Sequence, residues 1–210
     1  MSLAAFSGGV CCSAELFTRG YDTHADHHAL HGALFSHLTD SIDFFWKSAE
    51  TAGLTDRITL LIGSDFGRTP NYNSDMGKDH WPIGSFIVME SSPSGGNRVI
   101  GDTDEGHNAC AISPFTLLRD DDNGTVIYPA HFHKAFLRYL GLEGSSVNQD
   151  FQFLTTEDFD FFWLVQAGFF RFPLICKCCR GQKLIVMTDV TSGTGGSDRP
   201  NCCWFLNHHP

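Results

Sequence analysis

Apolar and polar positions follow two different periods along this chain, and the switches between them mark its elements. Residues 10–17, VCCSAELF, form a mostly apolar run closed by Thr18-Arg19-Gly20, which predicts a strand. From Ala29 to Gly53, apolar side chains fall at Leu30, Leu34, Leu38, Ile42, Phe45, Ala49 and Ala52. Steps of four and three are the helical period, and Gly53 is well placed to end that helix. Residues 58–62, ITLLI, are an unbroken β-rich run, as suits a strand buried on both faces. Weaker patterns predict a strand at 85–89, a short strand at 98–100, and a helix over 130–140 that starts behind Pro129 and stops at Gly141. A strand, a helix and a second strand form a parallel crossover, which brings both strand ends to one edge of the sheet. The expected fold is α/β, a mostly parallel sheet flanked by helices.

Ligands bind at that edge in open α/β sheets. Here the two turns that leave it are acidic: Gly20-Tyr21-Asp22-Thr23-His24 and Ser64-Asp65-Phe66-Gly67-Arg68-Thr69. A carboxylate just past a strand end is held in place yet faces the cleft, so Asp22 and Asp65 are candidate metal ligands. The alternative for each is a helix or turn cap. His24 lies in the first turn and ranks first among the imidazoles. His28 follows four residues on and ranks second, while His31 and His37 are expected at the surface. Asp79-His80-Trp81 is the third motif. His80 offers a neutral imidazole to zinc or a similar cation, and Asp79 can ligate or orient it. Arg68 is suited either to an anionic substrate group or to an ion pair. Ser64, Thr23 and Thr69 carry hydroxyls without a dedicated base, so none is assigned as a nucleophile.

Composition narrows the classes. The 210 residues are 42% hydrophobic and 18% charged, which describes a globular chain. A net charge of −10 argues against a nucleic-acid partner. It leaves an anionic substrate open, since a bound cation reverses the local sign. No apolar run reaches a membrane span, and Met1–Val10 lack the pattern of a secretory signal. The eight cysteines include no two separated C-x-x-C pairs, so a zinc ribbon is not indicated. Asp120–Gly124 is a solvated turn without EF-hand spacing. The organisation changes near residue 162. Residues 1–161 carry the α/β pattern, whereas 162–210 are rich in Phe and Cys, then Gly and Ser, with no period beyond LIVMT at 184–188. That stretch is left unassigned, because adjacent Cys-Cys pairs suit a tetrahedral metal poorly.

Taken together, Gly-Tyr-Asp-Thr-His at 20–24, Ser-Asp-Phe-Gly-Arg-Thr-Pro at 64–70 and Gly-Lys-Asp-His-Trp at 77–81 resemble the bacterial family called domain of unknown function 1501. The resemblance runs from about residue 3 to 161. That family in turn is similar to the alkaline phosphatase superfamily, with its sulfatases and cofactor-independent phosphoglycerate mutases. The resemblance implies an alkaline-phosphatase-like sheet and a metal-dependent hydrolase of phosphate or sulfate esters, acting on a small anionic ester. It implies a divalent metal, zinc first, with manganese, iron and calcium open. Asp22 with His24, Asp65 and His80 would be ligands, His28 and Asp79 further ligands or supports, and Arg68 the anion-binding group. Phe66 stands where the superfamily usually has His, so one ligand of a second metal is missing. The superfamily's nucleophile-bearing half has no counterpart here. The resemblance therefore implies a C-terminal half, an incomplete sheet whose exposed edge oligomerisation would cover, and an exported or periplasmic location. The alternatives are a non-catalytic binding or structural protein, and a mononuclear metal protein using Asp22, His24 and His80 alone.

Overall fold

The computed structural model describes residues 2–91, 96–142 and 156–162 in full, and Leu184–Thr191 as backbone. The elements run α1 (Ser2–Ser7), β1 (Ser13–Arg19), α2 (His27–Thr51), a 3-10 turn (Thr55–Arg57), β2 (Ile58–Gly63), β3 (Gly67–Arg68) and β4 (His80–Trp81). They continue with β5 (Ile87–Met89), β6 (Ala111–Ile112), β7 (Thr125–Val126), α3 (Pro129–Tyr139) and β8 (Leu184–Thr191). Both long helices end before a glycine in the left-handed region, Gly53 at φ 66° and Gly141 at φ 72°. A Cβ is disfavoured in that conformation, so glycine is the natural stop.

The main sheet has the order β1-β8-β2-β5. β8 runs parallel to both β1 and β2, and β5 runs antiparallel to β2. β3 with β4, and β6 with β7, make two small antiparallel sheets. The fold is thus mixed α/β: the expected parallel pairing holds for β1, β8 and β2, while β5 and the two small sheets are antiparallel. The reason lies in the connections. A helix, α2, joins β1 to β2, as a parallel crossover requires, whereas the path from β2 to β5 runs through the β3–β4 hairpin and returns antiparallel. β1 and β2 do end on one edge, as expected, yet they are not neighbours. The only period seen in the stretch beyond residue 162, LIVMT, belongs to the strand between them. The rest of that stretch, with its cysteines and final histidines, lies outside the described residues. Among the described residues no helix is long and apolar enough to cross a membrane.

β2 organises the core. Ile58, Leu60 and Ile62 face one cluster, with Phe6 of α1, Leu38, Phe45 and Ala49 of α2, and Leu54. Leu61 faces the other, with Phe132 and Phe136 of α3 and the adjacent Phe86, Phe161 and Phe162. Alternate residues of one strand therefore feed two helical layers, which explains the unbroken apolar run. Complete burial of each such side chain contributes about 1.5–3 kcal/mol. Thr59, wholly buried on the same strand, is satisfied by donating its hydroxyl to Glu90 Oε1 at 2.5 Å. α2 buries only Leu38, Phe45 and Ala49 of its predicted stripe and leaves Phe44 73% exposed on its far side. Residues 98–100 do not form the expected strand. Val99 is 92% exposed there, and the chain is tied instead through Arg98 to the carbonyl of Phe161.

Candidate metal centre

The first turn of the site is anchored by its odd members. Tyr21 and Thr23 are buried. The Tyr21 hydroxyl donates to the carbonyl of Leu34 at 3.1 Å, and Thr23 Oγ1 lies 2.6 Å from His27 Nδ1 on α2. Asp22 and His24, between and after them, are left free of the core. A second loop, residues 71–80, is stitched across the first by backbone hydrogen bonds. Lys78 N donates to Thr23 O, His27 N to Met76 O, and Asp26 N to Asp75 O. Asn73 braces the junction from within, donating to His24 O at 3.0 Å and accepting from the amides of Asp75 and Gly77. The β3–β4 register places Arg68 opposite His80. Cross-strand partners share a face, so both reach the same carboxylate.

Three ligand atoms converge there. Asp22 Oδ1 lies 2.9 Å from His24 Nε2 and 3.0 Å from His80 Nε2, and the two nitrogens are 3.2 Å apart. Zinc bonds of about 2.0–2.2 Å at angles between 90° and tetrahedral put neighbouring ligand atoms about 2.8–3.6 Å apart, so the triangle fits one ion. Among the described residues this is the one such grouping. Asp79 Oδ1 lies 3.0 Å from His24 Nδ1. A carboxylate can only accept, so Nδ1 donates to Asp79, and Nε2 is the atom that would face a bound ion. The same bond from His24, then that from Asn73, holds the Asp79 carboxyl below its ordinary range. Phe66 stacks on the His80 ring at 3.9 Å between centroids, which fixes the plane of the imidazole.

Arg68 is only 12% exposed and is already committed. It donates to Asp22 Oδ1 at 2.5 Å and to the carbonyl of Lys78 at 3.0 Å, and its guanidinium lies 5.4 Å from the Phe66 centroid. Of the two roles open to it in the sequence, the ion pair is the one its contacts show. Desolvation pushes the Asp22 carboxyl upward. The bonds from Arg68 and His80 and the charges of Arg68 and His24 outweigh this and leave it below its ordinary value. Asp22 is ionised at neutral pH, as a ligand must be.

Asp65 stands apart from this grouping. Its side chain is exposed and accepts from the amide of Phe66 at 3.0 Å, a turn contact. His28 and His37 are exposed on α2. His31, expected at the surface, instead packs on the rings of His27 and Tyr21 and bonds Tyr21 O, because the start of α2 faces back onto the first turn. Ser64 and Thr69 spend their hydroxyls on the carbonyls of Phe66 and Asn71. Thr23 does have an imidazole beside it, but it is 2% exposed and serves as an anchor. Phe66, Asn73 and Gly77 complete the site; Gly77 opens the third motif, whereas nothing in the sequence pointed to Asn73. A cavity of about 470 Å³ is lined by Phe66, Arg68, Lys78 and Tyr21 among others. A larger one, about 980 Å³, lies by Phe86, Glu90, Phe132 and Tyr139, and none of Asp22, His24 and His80 lines it.

No curated protein and no solved structure matches the chain. A family model described as "Protein of unknown function (DUF1501)" matches residues 9–138, which is more than half of the sequence and includes every residue of the site. The chain belongs to the DUF1501 family.

Proposed function

We propose that Asp22, His24 and His80 hold one divalent metal ion, zinc first, in a metal-dependent hydrolase of phosphate or sulfate esters related to the alkaline phosphatase superfamily. The observation that carries the metal reading is the triangle of one carboxylate oxygen and two imidazole nitrogens with sides of 2.9, 3.0 and 3.2 Å. The likeness of the three motifs to that superfamily supports the hydrolase class. A bound divalent ion supplies Lewis acidity toward an anionic ester. The chain's own groups prepare the place: Asp79 keeps the His24 tautomer, Phe66 holds the His80 ring, and Arg68 keeps Asp22 ionised. With Asp65 in its own turn and Phe66 beside it, the ligand set is that of a single ion. A second reading, a non-catalytic metal or ligand-binding protein, is favoured by Arg68, which is spent on Asp22 and Lys78 instead of facing a substrate.

The test is the metal content of protein purified without chelator, for the wild type and for Asp22→Ala. About one ion per wild-type chain, lost in the variant, is expected of such a three-ligand site. Metal-free wild type after incubation with zinc, manganese, iron and calcium in turn overturns the metal reading. Turnover of an aryl phosphate or sulfate by the loaded chain separates the hydrolase from the second reading.

A further inference from the structure

We propose that the gap between β1 and β2 is an acceptor slot for one parallel, apolar β-strand, and that Leu184–Thr191 is a replaceable occupant of it. The two walls of the slot belong to the family unit, since β1 and β2 both lie within residues 9–138. The occupant does not. β8 comes from beyond the match, and it pairs along its length on both sides. Ile58–Gly63 lie opposite Leu184–Asp189, and Ser13–Arg19 opposite Ile185–Thr191. The crossover through α2 thus joins two strands that are about 9–10 Å apart, two strand spacings, with one place between them. An empty place would leave two rows of unpaired backbone groups inside the sheet, a costly condition that a strand of any origin relieves.

The walls also set what fits. Both impose the same direction, so the occupant must run parallel to each. Ile58, Leu60, Leu61 and Ile62 are buried on both faces of β2, so the start of the occupant must be apolar. The sequence Leu184-Ile185-Val186-Met187 meets that requirement opposite Ile58–Leu61. The remainder, Thr188-Asp189-Val190-Thr191, polar but for Val190, comes into register with Leu16–Arg19 and Ile62–Gly63, where the turns carrying Asp22 and Asp65 leave the sheet. The partner class is therefore an extended peptide segment, apolar over four residues and polar toward the site, bound by strand addition. Whatever occupies the slot sets the separation of those two turns. This holds whether or not a metal binds at Asp22.

The test uses the full chain. Hydrogen exchange at 184–191 in the wild type is expected to be as slow as at 58–63, and exchange at the rate of an unstructured peptide overturns the proposal. Val186→Pro removes a ladder donor from the middle of the occupant, where proline is excluded. A fluorescent peptide of sequence LIVMTDVT is expected to bind this variant at least tenfold tighter than the wild type, and a scrambled peptide not at all. Equal binding to both chains overturns the proposal, as does a variant that keeps slow exchange at 58–63 yet ignores the peptide. If Val186→Pro unfolds the chain, refolding with the peptide is expected to restore slow exchange at 58–63. Refolding that the peptide leaves unchanged counts against the slot.

Discussion

Replacing Gly77 by alanine puts a methyl carbon 1.8 Å from the carbonyl oxygen of His24, 1.9 Å from its carbonyl carbon and 2.4 Å from the amide nitrogen of Ala25. All three neighbours are backbone, so no side-chain rotation relieves the contact. Real Cβ atoms stay beyond 3.0 Å, so the two loops must part by roughly 1 Å. The bonds from Lys78 N to Thr23 O and from Asn73 to His24 O resist that movement. Overpacking of this kind costs about 1–3 kcal/mol of stability. The triangle proposed to hold a metal has less slack still. A displacement of roughly 1 Å takes His24 Nε2 out of reach of a bond of about 2.0–2.1 Å. Zinc affinity is therefore expected to fall by about ten- to a hundredfold or more. Competition with a chromophoric chelator measures the affinity, and urea unfolding measures the stability. Gly84→Ala is the control, because its new methyl would meet only Gly67 and Phe66 backbone atoms at 3.5 Å or beyond. A Gly77→Ala chain with the wild-type urea midpoint and wild-type zinc affinity would refute the reasoning.

Three further outcomes follow from the contacts. Asp79→Ala removes the acceptor of His24 Nδ1–H without opening the core, so zinc affinity should drop about ten- to a hundredfold while the urea midpoint stays put. Unchanged affinity in the chelator competition would deny Asp79 its orienting role. His131 is 4% exposed; it accepts from the amide of Tyr128 at the start of α3 and donates to Glu157 at 2.9 Å. His131→Ala should cost about 2–4 kcal/mol in urea unfolding, and a loss under about 0.5 kcal/mol would show these bonds to be idle. His27 is held down to about 4, from an ordinary 6.5, by burial first and then by the charges of His31 and Lys78. Its neutral form belongs to the fold, so its contribution is complete above pH 6.5 and is lost as pH falls toward 4. With screening by solvent the loss is about 1–2 kcal/mol. His27→Gln should flatten urea stability across that window, and an identical slope in both chains would exclude His27 as the cause.

What the sequence determined by itself is what local periods can encode. The steps of four and three from Leu30 to Ala49 place α2, and the run ITLLI places β2, because each side chain's direction follows from its own position in a helix or strand. Gly53 and Gly141 end helices for an equally local reason, the absence of a Cβ. The candidates Asp22 and His24 were also legible, since a strand end followed by a short acidic or imidazole turn is a local pattern, and His80 was legible through its own Asp-His-Trp motif. Tertiary structure alone decided which of two similar turns would join the site. Asp22 and Asp65 each follow a strand, but only the first turn is crossed by residues 71–80, whose hydrogen bonds bring Asp79 and His80 to it. It also turned Arg68 from an open cation into the partner of Asp22, and drew His27 and His31 inward onto Thr23 and Tyr21. The order of the sheet was hidden for the same reason. The period at LIVMT announces a strand, whereas its place between β1 and β2 depends on pairing with residues more than a hundred positions away, and a contact of that range leaves no period in the chain.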